Sequence, residues 1–456
     1  MTETNLINLK SELSDEERAF SAYGSFDIIH RYSEEDGSAV NLVVANGREF
    51  VFRDSFYGES NELLKKRLVK RYAKLSVYKA LRELTGKDLP WGSLTGVRPT
   101  KLAYTLLKER GEFADYFKQF LLVSEEKTAL TEAVIRTQKR IYEENSGGSD
   151  FFVFIPFCPS RCSYCSFISH DQKFAQKYAD DYVDALVKEI EYSFKFVKKL
   201  RSIYIGGGTP VALSDENLEK VLKAIDKINV GVEFTVEAGR PDAITKNNLN
   251  ILKAHGCTRI CVNPQTFRDK TLKVIGRNHT SEDILRAYDL AKGNFAINMD
   301  LIAGLPGENF SDFEDSLSKT LLLYPDDVTV HTLCLKRGSK LKDEGVLESG
   351  SDAFKMVNFA ERTLTLNGYS PYYLYRQKYM SDNLENVGYG RDGKICVFNV
   401  DTMEELCDCV SCGANAVSKK VVYGEGRIER FGAPKDVKTY LENFSRVLEK
   451  KDELFG

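Results

Sequence analysis

The sequence predicts an α/β protein: an open, incomplete (β/α)6 barrel with an N-terminal α+β segment before it and a C-terminal α+β extension after it. Three observations carry this expectation. Between residues 151 and 335, six apolar runs alternate with amphipathic stretches, as parallel strands do when helices cover their outer face. Each motif in this region follows an apolar run, where a barrel carries its reactive groups. Asn145-Ser146-Gly147-Gly148-Ser149 reads as a linker between this region and a front part without catalytic signature. With 456 residues the chain can bury a large core and form two or three domains, here drawn at 1–145, 150–340 and 341–456.

Composition narrows the function classes. Hydrophobic residues make up 42 % and charged residues 29 %, as in globular proteins. A net charge of −3 excludes a global attraction to nucleic acid or an anionic membrane. No apolar run reaches membrane-spanning length, and the first ten residues lack the apolar core of a signal peptide. The 10 cysteines therefore read as reduced thiols and metal ligands. The expectation is a cytoplasmic enzyme, a monomer, without nucleic-acid or membrane partners.

In the front part, residues 26–30 and 40–44 are expected strands around the turn Glu34-Glu35-Asp36-Gly37-Ser38. Residues 61–84 have helical periodicity, and Lys65, Lys66, Arg67, Lys70, Arg71 and Lys74 give that helix a cationic face. Sparse aromatic interleaving favours a solvated face over a nucleic-acid site. The loop Trp91-Gly92-Ser93-Leu94-Thr95-Gly96-Val97-Arg98-Pro99-Thr100-Lys101 leads into another helix. Arg98 and Lys101 there either hold an anion or close a tight turn.

The barrel strands are expected at 151–155, 201–205, 233–236, 259–262, 296–302 and 328–335. Helices are expected near 174–200, 214–227, 242–254, 281–292 and 309–323. After the first strand stand Cys158, Cys162 and Cys165, spaced C-x3-C-x2-C. Three converging thiolates can hold three corners of a cubane 4Fe-4S cluster and leave the fourth iron open. Zinc, which usually takes a fourth Cys or His close by, and three merely adjacent buried thiols are the alternatives. Gly206-Gly207-Gly208-Thr209-Pro210 follows the second strand and would let a small polar ligand approach the backbone. Glu237 ends the third strand, where it could accept from ribose hydroxyls or an ammonium group, or be a surface residue. Asn263-Pro264-Gln265 offers amides after the fourth strand, and Ile302 offers an apolar surface after the fifth.

Beyond a helix at 352–366, Tyr372, Tyr373, Tyr375, Arg376 and Lys378 suit a large, flat, carboxylate-bearing substrate, or form a half-buried strand. Cys407, Cys409 and Cys412 read either as structural thiols or as part of a second metal site. Cys257, Cys261 and Cys334 are expected in the core.

The order of these motifs resembles the radical S-adenosylmethionine (SAM) superfamily, in its coproporphyrinogen dehydrogenase branch and most of all its HemZ type. The segments that carry the resemblance are Trp91 to Lys101, Cys158 to Phe167, Val236 to Asp242, Asn263-Pro264-Gln265-Thr266, Gly276-Arg277-Asn278-His279-Thr280, Pro371 to Lys378 and Asn383 to Gly388. It implies a partial, TIM-like radical SAM barrel in which Cys158, Cys162 and Cys165 bind three irons. The methionyl amine and carboxylate of S-adenosyl-L-methionine would chelate the fourth. Gly207, Gly208 and Thr209 would contact that methionyl group. Glu237, Gln265, Arg277, Asp300 and Ile302 would lie around the ribose and adenine. The implied activity is oxygen-independent oxidative decarboxylation of two propionates of coproporphyrinogen III, giving protoporphyrinogen IX in haem biosynthesis. The 5′-deoxyadenosyl radical would abstract the hydrogen, so no catalytic side chain is expected. A reduced flavodoxin- or ferredoxin-type protein would supply the electron. Phe167 stands where well-characterised dehydrogenases have a further cysteine, and the haem-chaperone (HemW-like) branch also has Phe there. Cys407 to Cys412 replaces a Gly-rich segment of HemZ-type chains. The alternatives are a haem-binding chaperone and a radical SAM enzyme acting on another tetrapyrrole.

Overall fold

The computed structural model describes residues 2–56, 62–95, 98–144, 147–165, 170, 172–334, 339–343, 352–377, 380, 383–391, 393–423 and 427–456. The chain forms two compact units. One comprises Met1–Glu132 together with Arg376–Glu385; the other comprises Ala133–Tyr375 and Asn386–Gly456.

The first unit carries a four-stranded sheet of β1 (Thr2–Thr4), β2 (Ile28–Glu35), β3 (Ser38–Ala45) and β4 (Arg48–Ser55), in that order. Two-residue turns, Asp36-Gly37 and Asn46-Gly47, join β2 to β3 and β3 to β4. All four turn residues have positive φ, 48°, 73°, 49° and 79°, which matches the twist of a tight hairpin. Leu13, Ile28, Val43, Val77, Tyr78 and Leu81 form the core between this sheet and the helices Lys10–Ala19 and Glu62–Thr85.

The cationic face of Glu62–Thr85 is answered by acids of its own unit. Lys65 pairs with Glu34, Arg67 with Glu109, Lys70 with Glu12 and Lys74 with Glu16.

The segment Arg376–Glu385 completes this unit. Glu385 is buried and accepts from Trp91 Nε1 at 2.7 Å and from Lys127 Nζ at 2.6 Å. The buried Arg376 guanidinium donates to the carbonyls of Leu94, Asn383 and Leu384 and lies 5.2 Å from the Trp91 ring centroid. Arg376 is thus a structural clamp, not a ligand for a substrate carboxylate. Lys378 lies outside the described residues.

The second unit is built on β5 (Ser149–Ile155), β6 (Leu200–Gly207), β7 (Glu233–Gly239), β8 (Arg259–Val262), β9 (Ala296–Ala303) and β10 (Asp327–Thr332), each parallel to the next. Helices Lys246–Ala254, Ser281–Ala291 and Phe310–Leu323 each start at a reciprocal capping box, Thr245/Asn248, Thr280/Asp283 and Asn309/Asp312. These caps satisfy the first helical N–H groups and fix where each crossover begins.

Two departures from the sequence expectation stand out. The linker expected at 145–149 does not close the front domain. Ser149 already belongs to β5, and residues 145–146 lie outside the described set. The unit boundary instead falls within the helix Glu125–Glu143, whose last turns bring Gln138 to Glu404 and Ile141 into an aromatic cluster of the second unit.

The region from 341 does not form a unit of its own either. It adds β11 (Ser370–Tyr375), β12 (Asn386–Gly390), β13 (Asp408–Cys412), β14 (Val417–Val422) and β15 (Arg427–Gly432) to the same sheet, in the order β11-β12-β10-β9-β8-β7-β6-β5-β13-β14-β15. β12 pairs antiparallel with β10, and β13 lies parallel to β5, so both edges of the parallel set are paired rather than left open.

Candidate cluster and cofactor site

The three cysteines occupy the loop after β5, and backbone bonds hold that loop on several sides. Cys158 N–H donates to the His170 carbonyl at 3.0 Å, and His170 N–H donates to that of Pro156 at 2.8 Å. Gly208 and Thr209 N–H groups donate to the Ile155 and Phe157 carbonyls, both at 2.7 Å. A Cβ on Gly208 would lie 2.5 Å from the Phe157 oxygen, so this contact requires glycine. Ser163 N–H reaches the Ile275 carbonyl at 3.0 Å, and Ser160 Oγ reaches that of Gly276 at 3.2 Å. Phe167 lies outside the described residues.

Cys158, Cys162 and Cys165 are all half-buried. The Thr209 hydroxyl, itself buried, donates to Cys158 Sγ at 3.6 Å, and Arg240 Nη1 donates to Cys162 Sγ at 3.7 Å. Arg277 is buried and donates to the Asn263 carbonyl at 2.6 Å and to Tyr164 Oη at 3.0 Å. Burial works against its charge, but Tyr164 and Cys162 beside it hold the guanidinium above its ordinary pKa.

Gly207, at φ 107°, ends β6, and a Cβ there would lie 2.8 Å from the Phe154 ring. On β7, Glu237 accepts from Tyr204 Oη at 2.6 Å and from the Gly207 backbone. Burial pushes its carboxyl up to about 7; nearby Asp300 adds to the rise, while Tyr204, Gly207 and His331 oppose it. Asp300, on β9, accepts from Asn298 Nδ2 at 2.7 Å and lies 3.5 Å from His331 Nε2.

Gln265 links the end of β8 to β9: its N–H donates to the Asp300 carbonyl at 2.9 Å and its carbonyl accepts from Ile302 N–H at 3.0 Å. The Gln265 Oε1 and Asn263 Oδ1 atoms are buried without a protein donor, the condition of acceptors waiting for a ligand or water. Ile302 is 5 % exposed and packs in the barrel core.

The residue set fits an iron–sulfur cluster. Its donors are soft thiols on one loop, and the guanidiniums of Arg240 and Arg277 beside Cys162 offset the charge of deprotonated sulfur. The orphaned amide oxygens of Asn263 and Gln265 are acceptors that a polar molecule alongside could satisfy.

The second cysteine group forms no counterpart. Cys409 and Cys412 are three positions apart on β13, so they point to opposite faces of the sheet. Cys409 packs with Phe152's neighbours Tyr204 and Phe398, whereas Cys412 packs in the barrel core, 3.2 Å from Lys451 Nζ. Cys407 donates to Asp150 Oδ2 at 3.3 Å, and burial beside Asp150 and Asp401 drives its thiol pKa far up. Arg201 already binds both Asp401 oxygens, at 2.6 and 2.9 Å. These three are structural thiols.

The tyrosines of β11 are mainly structural as well. Tyr372 donates to Asp327 at 2.8 Å, and Tyr373 lies 3.2 Å from the Thr329 hydroxyl. Cys257 and Cys261 are buried as expected, and Cys334 is half-buried.

Tyr204, Arg240, Asp242, His279 and His331 escaped the sequence reading as site residues. The alternation of β6 carried a signal for Tyr204, two positions before Gly206 and so on the same face; a Cβ at Gly206 would lie 2.9 Å from Glu237.

Residues 152–319 match the model of the radical SAM superfamily. The chain is 36 % identical over 394 residues to the oxygen-independent coproporphyrinogen-III oxidase-like protein HemZ of Bacillus subtilis, covering 81 % of this chain and 78 % of that one. It is 30 % identical over 310 residues to the haem chaperone HemW of Haemophilus influenzae, covering 64 % and 75 %. Among solved structures, coproporphyrinogen III oxidase (HemN) of Escherichia coli shares the fold, with a TM-score of 0.54 at 21 % identity over 71 % of this chain and 74 % of that one. No helix among the described residues is long and apolar enough to cross a membrane.

Proposed function

The chain belongs to the radical SAM superfamily, among the coproporphyrinogen-III oxidase-like proteins, and from that premise we propose that it is an oxygen-independent coproporphyrinogen III dehydrogenase. It would convert two propionates of coproporphyrinogen III to vinyl groups, with loss of carbon dioxide, and so yield protoporphyrinogen IX. The observation that carries this reading is the extent of the likeness to the oxidase-like relative. It spans 394 residues, well beyond residues 152–319 that match the superfamily model.

The family works with a 4Fe-4S cluster and S-adenosylmethionine, which when bound and reduced by one electron supply a 5′-deoxyadenosyl radical for hydrogen abstraction. Cys158, Cys162 and Cys165 would hold the cluster and leave one iron for the methionyl amine and carboxylate. Gly207, Gly208 and Thr209 would line the methionyl side, where glycines permit close approach. Glu237, Gln265, Arg277, Asp300 and Ile302 would surround the ribose and adenine. Glu237 and Asp300 are suited to accept from ribose hydroxyls, and Gln265 Oε1 to accept from a polar edge. A reduced flavodoxin- or ferredoxin-type donor would provide the electron.

A second reading, a haem-binding chaperone, is favoured by the 30 % identity to proteins of that name over 64 % of the chain. Anaerobic incubation of the reconstituted protein with coproporphyrinogen III, S-adenosylmethionine and a reductant decides between them. Protoporphyrinogen IX is the expected product. Stable haem binding with 5′-deoxyadenosine but no decarboxylated porphyrinogen would overturn the dehydrogenase reading in favour of the chaperone.

A further inference from the structure

Arg240 stands just after the end of β7, and its side chain is buried between Asp242 and the cysteine loop. It is 3 % exposed. Nε and Nη2 bind the two oxygens of Asp242 at 2.9 and 2.8 Å, a fork-to-fork pair. Nη1 is left to face the cysteine loop, where it donates to the Ser160 carbonyl at 3.3 Å, to Ser160 Oγ at 3.1 Å and to Cys162 Sγ at 3.7 Å. Pro241 fixes the backbone between the pair, and Arg240 N–H donates to the Ala238 carbonyl at 2.7 Å. His279 Nδ1 lies 3.7 Å from Asp242 Oδ1, the oxygen that Arg240 Nε also faces. One guanidinium edge is therefore neutralised by a carboxylate while the other is aimed at a cysteine sulfur.

We infer that Arg240 and Asp242 form a potential-setting pair for the cluster, with Arg240 donating an N–H to the Cys162 sulfur and Asp242 trimming the charge behind it. This rests on the ligand set proposed above. Hydrogen bonds to cluster sulfurs and nearby positive charge stabilise the reduced state, which carries one more electron, and so raise the reduction potential. Asp242 opposes the charge part of that effect without removing the hydrogen bond. Arg240 is a positioning and tuning residue; it touches the cluster's ligand rather than the reacting atoms.

The pair yields two shifts of opposite sign, which a purely structural role would not. The test is the midpoint potential of the reconstituted protein, read by anaerobic redox titration with electron paramagnetic resonance, alongside iron and sulfide content. Arg240→Gln is expected to move the midpoint negative, lowering the reduced-to-oxidised ratio at a fixed potential about tenfold, or about 59 mV for one electron. Asp242→Asn, which keeps the guanidinium and removes its counter-charge, is expected to move it positive. If Arg240→Gln fails to hold a full cluster, Asp242→Asn carries the test. An unchanged midpoint in Asp242→Asn, or in fully loaded Arg240→Gln, overturns the inference while leaving the ligand set intact. A wild-type protein that assembles no 4Fe-4S cluster removes the ligand set and this inference together.

Discussion

Gln265 has φ +66°, a left-handed backbone in a residue other than glycine. Such a conformation costs about 1–2 kcal/mol. The two bonds to β9 hold it there, and the strain places the amide at the strand end where its oxygen finds no protein donor. Glu237 is the titrating member of the same group. Its carboxyl, pushed up to about 7 by burial, is largely neutral below that value and ionised above it. The ionised form accepts hydroxyl donors more strongly. Affinity for S-adenosylmethionine is therefore expected to rise as pH passes upward through about 7 and then level off. In Glu237→Gln that step should vanish. Equilibrium binding between about pH 5.5 and 8.5, about one unit and a half on either side of the titration, checks this; a profile identical in the two proteins would show that Glu237 does not meet the ligand.

Strand β13 makes a prediction of its own. Its residues alternate between two faces, so Cys409 and Cys412 cannot share a metal. Replacing Cys407, Cys409 and Cys412 together by serine should leave the iron content of reconstituted protein at about four per chain, the complement of one cubane cluster. Replacing Cys158, Cys162 and Cys165 by alanine should reduce it to none. About eight irons in wild type, falling to about four in the serine variant, would restore a second cluster. The contrast between the two groups explains what was legible beforehand. Strands β5 to β9 were readable to within a few residues because a strand buried on both faces is a continuous apolar run. The glycine and cysteine motifs were readable because each closes on a neighbour within the same sheet end. Spacing alone could not place Cys407 to Cys412, since β13 pairs with β5 from the far end of the chain: Cys409 stands opposite Asp150. Nor could it show that Arg376 is spent on the Leu94 carbonyl, a partner 282 positions away.

At the scale of the whole molecule, the division into units does not follow chain order. The path runs through the first unit, the second, back into the first for Arg376–Glu385, and returns to the second. The ten-residue return carries Glu385, the buried acceptor of Trp91 and Lys127. Breaking a buried ion pair by removing one member costs about 3–5 kcal/mol. Glu385→Ala should therefore destabilise the first unit by about that much. The single tryptophan, Trp91, lies at the contact, so urea unfolding followed by its fluorescence isolates this unit. An unshifted fluorescence midpoint would show that Glu385 contributes nothing to it. The same threading has a consequence for synthesis. Lys127 leaves the ribosome 258 residues ahead of Glu385, and at roughly 5–20 residues per second that interval lasts about 13–50 s. During that time the nascent chain lacks the Glu385 carboxylate that Lys127 meets in the folded unit. Its closure must wait for nearly the whole message to be read, so the part of the chain made first is among the last to become native.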